Sequence, residues 1–388
     1  MTRKIAERKT LHRLEAELTS LRSHYLYRYP EVGSGFGFSS NDYLGLSHHP
    51  AMAAAVHSAV EASDRVASTG SRLLSGHVGA WEKLEEGFSQ YIGVEAALFF
   101  NSGYAANTGL LTAIVRTEDT VFSDAANHAS LIDGIRLAGC RKVIFPHLDL
   151  DFLEGALRSN DGRGGERFIV VESIFSMDGD RAPIDQLVSL AEKYDAGLIV
   201  DEAHATGVVG PDGRGLIALS GRSDAIIASI HTCGKALAAS GAFVAGSRTL
   251  KEYLTNNSRP FIYTTGLPPY MAAQVGAGIK LGAAAQNARA RLSAMSESLR
   301  EGLKNAGFDS GNSNTQIVPV LLGSNERAID TAQRMRDEGF EVRAIRTPSV
   351  AEGTARLRLS LTADLPPDAI DGLVDAMTRC RRDSDRIR

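Results

Sequence analysis

Between about residue 80 and residue 245 the chain alternates helical stretches with short apolar runs, and no other feature restricts its fold as much. The runs fall at 96–100, 120–122, 142–145, 168–171, 197–200, 225–230 and 242–245, with helical patterns such as 81–92 among them. Short buried strands separated by helices fit a mostly parallel sheet covered on both faces, so the expected class is α/β. A chain of 388 residues with 43% hydrophobic content has material for a large core and more than one domain.

The flanks differ. Residues 4–26 place Ile5, Leu11, Leu14, Leu18 and Leu21 at near-helical spacing, which predicts an amphipathic N-terminal helix ended by Tyr29-Pro30. An Ala-rich stretch at 270–305 predicts a long linker helix. Two further apolar runs, 317–322 and 357–361, have a helical pattern between them (326–338) and another after them (367–379), a smaller α+β unit. The expected division is an N-terminal helix and arm (1–45), a large α/β domain (46–275), and a linker helix with a small C-terminal domain (276–388).

A formal net charge of −4 with no long run of either sign argues against nucleic-acid partners and a polybasic membrane patch. Cys140, Cys233 and Cys380 are widely spaced, which fits neither a disulfide framework nor a zinc site. No metal is expected. The charged N-terminus lacks an apolar h-region and no segment is apolar enough to span a bilayer, so a cytoplasmic location is the default.

In α/β sheets ligands gather at the C-terminal ends of strands. There the chain carries Asn101-Ser-Gly-Tyr104, a small-residue turn opening a helix whose amides suit a phosphate. It also carries His128, Ser176, Asp201 with His204, and Thr232 with Lys235. Each has an ordinary reading: a strand–helix turn, a satisfied polar histidine, an acid capping a loop. Lys235, flanked by Gly234, Ala236 and Leu237, lacks the charged company of a surface lysine. Burial disfavours its charged form and makes the amine nucleophilic. An acid, a histidine and a lysine in this order are what a pyridoxal 5'-phosphate (PLP) enzyme needs. The lysine forms an imine, the carboxylate holds the pyridinium proton, and other polar groups hydrogen-bond the phenolic oxygen and the phosphate.

Asp201-Glu-Ala-His204 also spells the DEAH box of nucleotide-driven helicases. That reading requires an upstream G-x-x-x-x-G-K-[ST] loop. The only Gly-Lys pair, Gly234-Lys235, lies downstream and is followed by Ala236, so the motor reading fails.

Several ordered stretches carry a family resemblance. They are Phe38-Ser-Ser-Asn-Asp-Tyr-Leu-Gly-Leu, Ser68-Thr-Gly-Ser-Arg-Leu-Leu-Ser-Gly, Asn127-His-Ala-Ser-Leu, Ser176-Met-Asp-Gly-Asp, Val200-Asp-Glu-Ala-His-Ala-Thr-Gly, Gly210-Pro-Asp-Gly-Arg-Gly and Leu357-Arg-Leu-Ser-Leu-Thr. With the Lys235 segment, they make nearly the whole chain resemble the α-oxoamine synthases, PLP enzymes of fold type I related to class II aminotransferases. Arg259-Pro-Phe-Ile-Tyr-Thr-Thr-Gly-Leu-Pro-Pro is most similar to the biotin-pathway branch, which condenses L-alanine with a pimeloyl thioester. The alternative is a sibling using glycine and acetyl-CoA, of the 2-amino-3-ketobutyrate type.

The resemblance implies that Lys235 carries the imine, Asp201 pairs with the pyridine nitrogen, His204 with the phenolic oxygen, and His128 stacks on the ring. Ser176 would sit at the ring's polar edge, and Gly103, Tyr104 and Thr232 would help hold the phosphate. Thr264 and Thr265 match a pair that reaches the phosphate of a neighbouring subunit, implying a homodimer with shared sites. Arg358 matches the arginine for the amino-acid carboxylate, and Asn41 and Ser349 fall where the family contacts substrate. Arg22 and Arg28 are both candidates for an acyl-binding arginine, and the acyl donor is coenzyme A or a carrier protein. Two departures stand out: Ala238 where relatives place glycine, and a short 30–38 segment where relatives often have a hairpin.

Overall fold

The computed structural model describes residues 8–160 and 164–386. Helix α1 (Lys9–Ser23) and the two-residue strand β1 (Phe36–Gly37) come first, followed by α2 (Pro50–Glu61) and α3 (Gly79–Ile92). Residues 4–7 of the expected N-terminal helix, with Ile5, lie outside the described residues. Strands and helices then alternate: β2 (Ala96–Phe100), α4 (Gly103–Ile114), β3 (Thr120–Asp124), α5 (Ala129–Ala138), β4 (Arg141–Phe145), α6 (Leu150–Ser159) and β5 (Arg167–Glu172). The series continues through α7 (Ile184–Lys193), β6 (Gly197–Asp201), α8 (Leu216–Ser220), β7 (Ala228–Thr232) and β8 (Ala242–Gly246). Four helices follow: α9 (Arg248–Asn257), α10 (Arg259–Ile262), α11 (Met271–Ala284) and α12 (Gln286–Asn305). The last segment holds β9 (Ile317–Gly323), α13 (Asn325–Asp337), β10 (Phe340–Glu341), β11 (Ala344–Ile345), β12 (Ala355–Ser360) and α14 (Pro367–Arg386).

Contacts divide the chain into two compact units, one of residues 41–293 with 362–364, the other of 1–40, 294–361 and 365–388. In the larger unit seven strands form one sheet in the order β2-β8-β7-β6-β5-β3-β4. The β7-β6-β5-β3-β4 pairings are parallel, and β8 runs antiparallel to both β7 and β2. The C-terminal ends of β2, β3, β5, β6 and β7 therefore share one edge. Side chains alternate in period two across the sheet. Leu98 and Phe100 enter one cluster with Val170, Ile199 and Ile230. Ala97 and Phe99 enter another with Trp81, Phe88 and Phe243. Phe88 of α3 stacks on Phe243 at 3.8 Å. Burying one such side chain contributes about 1.5–3 kcal/mol, and it is this two-sided burial that turns the short apolar runs into strands.

Two expected elements differ in detail. The run at 225–230 opens as a 3-10 turn over Ser223–Ala225, and the strand itself is Ala228–Thr232. The Ala-rich stretch is two helices, broken at Ala285 (φ −82°, ψ 36°). Arg289 holds the break: its guanidinium donates to the Gly282 carbonyl, which also accepts the Ala285 N–H, and to that of Ala283 at 3.1 Å, at the end of α11 where helical carbonyls lose their i+4 partners.

The smaller unit is α+β. Strands β11-β12-β9 form an antiparallel sheet, and β1 pairs parallel with β10. Helix α1 buries no residue, and Leu14, Leu18 and Leu21 on it are exposed. Arg22 lies over the Tyr27 ring at 4.4 Å, and Arg28 donates to the Thr347 carbonyl at 3.2 Å.

Candidate active site

The sheet edge gathers the polar groups because each ends a strand or sits three or four residues beyond one. Strand β6 ends at Asp201, in register with Glu172 at the end of β5. Asp201 is 5% exposed. Its Oδ1 accepts the Ala203 N–H at 2.9 Å and its Oδ2 accepts Asn107 Nδ2–H at 2.7 Å. In the turn after β6, His204 is buried. In the turn after β7, the Lys235 Nζ lies 2.9 Å from His204 Nε2. The other imidazole nitrogen, Nδ1, lies 2.6 Å from the Tyr43 hydroxyl, which donates to Asn41 Oδ1 at 3.0 Å. With Lys235 donating, Nε2 accepts and Nδ1 carries the proton, so Lys235, His204, Tyr43 and Asn41 form one hydrogen-bonded series.

His128 follows β3 and caps α5, its Nδ1 accepting the Ser130 N–H at 3.2 Å. Desolvation pushes its pKa below the ordinary value; Asp201 pulls it up and Lys235 pushes it further down. The three groups therefore feel one another. Glu172 is fully buried, and its Oε2 accepts the Ser176 N–H at 3.2 Å. Burial first, then Asp201, pushes the Glu172 carboxyl up to about 8, against the pull of Lys235 and two backbone N–H groups. Ser176 itself is 5% exposed.

Helix α4 starts at this edge, with Ser102 as its cap accepting the Ala105 N–H. The first-turn N–H groups of a helix have no internal partner and favour an anion. A Cβ at Gly103 would lie 2.6 Å from Thr232 Oγ1. Only glycine lets the start of α4 and the end of β7 meet there. Tyr104 turns its hydroxyl to the Asp133 carboxylate. Asn101 Nδ2 donates to the Thr265 carbonyl at 2.7 Å, and Thr265 bridges Ser71. Thr264 and Thr265 are exposed. Arg358 and Ser349 belong to the smaller unit. There Arg358 is 7% exposed and donates to Ser360 Oγ at 2.6 Å, and the Ser349 N–H donates to the Arg346 carbonyl at 3.0 Å.

The structure thus brings Lys235, His204, Asp201, His128, Ser176, Gly103, Thr232 and Asn41 into one unit. Four groups here had no assigned role from sequence: Tyr43, Asn107, Ser130 and Glu172. Tyr43 lay inside the quoted Asn41-Asp-Tyr stretch, the only signal that could have found it. The set fits PLP: an amine beside an imidazole, a buried carboxylate on the adjacent strand, and a helix start that a Cβ would block. Among the described residues no group of three or more His, Cys, Asp or Glu could hold a metal, and no helix is long and apolar enough to cross a membrane.

A parallel-rich sheet with a lysine, an acid and a helix start at its C-terminal edge defines the class, and the chain belongs to the aminotransferase class I and II family, which matches residues 34–377. Within it the chain is similar to an 8-amino-7-oxononanoate synthase from Chromobacterium violaceum, 43% identical with 89% of each chain covered. One from Geobacter sulfurreducens is 42% identical over 98% of each. Among solved structures, a serine palmitoyltransferase from S. paucimobilis with a bound PLP–myriocin aldimine superposes with a TM-score of 0.89 at 28% identity, covering 98% of this chain and 99% of the other. An 8-amino-7-oxononanoate synthase from Francisella tularensis gives 0.78 at 26% identity, over 90% and 99%.

Proposed function

We propose that the chain is a PLP-dependent C-acyltransferase that joins L-alanine to a pimeloyl thioester with loss of CO2 and release of the free thiol of the acyl carrier, giving 8-amino-7-oxononanoate for biotin biosynthesis in the cytosol. The observation that carries this reading is the Lys235 amine 2.9 Å from His204 beside the Asp201 strand, in a chain 42–43% identical to synthases of that name. Bound PLP supplies an aldehyde for the amine and a ring that takes up the electron pair left on the amino acid's Cα.

The chain's residues do the rest. Lys235 Nζ holds the cofactor, gives way to the amino group of alanine, and takes the Cα proton as general base. The Asp201 carboxylate would keep a proton on the ring nitrogen, and His204 would bind the phenolic oxygen. His128 would stack on the ring, Ser176 would lie at its polar edge, and Gly103, Tyr104 and Thr232 would hold the phosphate. Arg358 is assigned to the carboxylate of alanine, where a fork of two N–H donors orients the Cα–H bond. Asn41 and Ser349 are assigned to substrate. The protein acts as a homodimer in which Thr264 and Thr265 of one subunit serve the phosphate of the other.

An amino-acid by acyl-thioester panel read by product mass tests this. Alanine with the pimeloyl thioester is expected to turn over fastest. One methyl separates alanine from glycine and is worth only about 1–3 kcal/mol in an apolar pocket. Acyl length is the sharper axis, at roughly 0.8 kcal/mol per buried CH2. Faster turnover of glycine with acetyl thioester would identify the sibling synthase instead. Lys235→Ala is expected to abolish turnover. Asp201→Asn is expected to lower kcat about 10²-fold or more, by analogy with removal of an electrostatic stabiliser.

A further inference from the structure

Asn107 lies on α4 just beyond the helix start, 2% exposed, and both hydrogens of its amide are committed. One goes to Asp201 Oδ2 at 2.7 Å, the other to Ser130 Oγ at 2.8 Å. The amide orientation follows from the carboxylate, because a flipped amide would set its carbonyl oxygen against an acceptor. Ser130 is 1% exposed, and its hydroxyl lies 2.7 Å from His128 Nδ1. Ser130 Oγ accepts from Asn107, which leaves its own proton free to donate to Nδ1. The Ser130 backbone N–H meets the same nitrogen at 3.2 Å. Two donors converge on Nδ1, so that nitrogen carries no proton and the ring proton sits on Nε2.

We propose that Asn107 is a positioning residue that couples the acid to the stacking histidine: it orients the Asp201 carboxylate and, through Ser130, locks His128 as the neutral Nε2–H tautomer. The hydrogen-bond series stands on this chain's own atoms; its catalytic relevance rests on the reading of Asp201 and His128 given above. Fixing the tautomer leaves His128 a single donor edge, Nε2–H, and no acceptor lone pair. An imidazole fixed in this way stacks on a ring and donates to a substrate oxygen without removing a proton. That leaves proton removal to Lys235.

The test is nitrogen NMR of histidine-labelled protein without added cofactor or substrate, with a His128→Gln chain to assign the resonance. Wild type is expected to show an unprotonated Nδ1 and a protonated Nε2 for His128 at pH 7. In Asn107→Leu the serine hydroxyl loses the donor that orients it and can turn away from Nδ1, and both nitrogens should shift toward the averaged positions of mixed tautomers. Ser130→Ala should do the same while leaving the Asn107–Asp201 bond in place. A wild-type Nδ1–H tautomer overturns the proposal whether or not any variant folds. So does a folded Asn107→Leu chain with unchanged His128 signals. Because the spectra need no turnover, a failed synthase assay with the expected tautomer counts against the function and not against Asn107.

Discussion

At the scale of single residues, Ala238 departs from its neighbours in both sequence and backbone. The family resemblance leads one to expect glycine near this position, and the structure holds Ala238 at φ +48°. The conformation is enforced from both sides: the Ala238 N–H donates to the Lys235 carbonyl at 2.9 Å, and its own carbonyl accepts from Gln274 at 3.2 Å. A Cβ in the left-handed region costs roughly 1–2 kcal/mol. Glycine gives back part of that as unfolded-state entropy, roughly 0.5–1 kcal/mol. Ala238→Gly is therefore expected to stabilise the chain by up to about 1 kcal/mol, read as a higher denaturation midpoint; a lower midpoint would show that the strain is absorbed elsewhere. Glu172 gives a second test. Its folded pKa, about 8, stands above the ordinary 4.5, so the stability it contributes is whole below 4.5 and is lost as pH rises through 8. Glu172→Gln mimics the protonated form and should gain on wild type steadily from pH 5 to pH 8 in denaturant titrations. Neither Glu172 nor Asn107 was legible as a functional group from sequence. Each is one polar residue in an apolar strand or an Ala-rich helix, and only the pairing of β5 with β6 and the packing of α4 bring them to Asp201. Lys235, Asp201 and His204 were legible because small-residue turns after apolar runs announce strand ends.

At the scale of elements, three segments converge on His147, in the turn after β4. Its Nδ1 meets Asp124 at the end of β3 at 2.9 Å, and its Nε2 meets Asp180 at 3.0 Å, in the turn that carries Ser176. Phe175 abuts the ring edge-on at 4.4 Å. Burial opposes charge on this imidazole, but the two carboxylates outweigh it and push the pKa up to about 10. The clamp thus ties the turn before His128 to the turn holding Ser176. A folded value raised from 6.5 gives stability that is complete below about 6.5 and lost as pH climbs through 10. The stability gap between wild type and His147→Gln is accordingly expected to narrow between pH 7 and pH 10.5 in denaturant melts. A gap that widens with pH would reverse the assigned charge. At pH 7, His147→Ala leaves two carboxylates facing each other and should cost about 3–5 kcal/mol. The clamp escaped sequence reading because its three members belong to three separate segments, the end of β3 and the turns after β4 and β5. Periodicity did give the strands, since two-faced burial leaves short unbroken apolar runs. It did not give the break at Ala285, which depends on a side chain four residues away.

At the scale of the whole molecule, the groups assigned to the cofactor fall in one unit, 41–293, while Thr264 and Thr265 stand exposed on its surface. Tyr263 beside them is 71% exposed, and Leu73 and Leu74, next to the Ser71–Thr265 bridge, are 49% and 81% exposed. Apolar side chains bared around a threonine pair suit burial against a second copy. A shared site makes a sharp demand on mixtures. Lys235→Ala chains lack the amine; Thr264→Ala/Thr265→Ala chains would lack what the proposed sharing has them lend to a partner. In a hybrid dimer one site receives the intact lysine of one chain and the intact threonines of the other, and the second site carries both lesions. Equal mixing with random exchange makes about half the dimers hybrid, so roughly a quarter of sites should recover. The assay needs each variant inactive alone and exchange shown independently, by co-purification of differently tagged chains. Exchange without any return of activity would mean that each subunit completes its own site, and the two threonines would lose their assigned role.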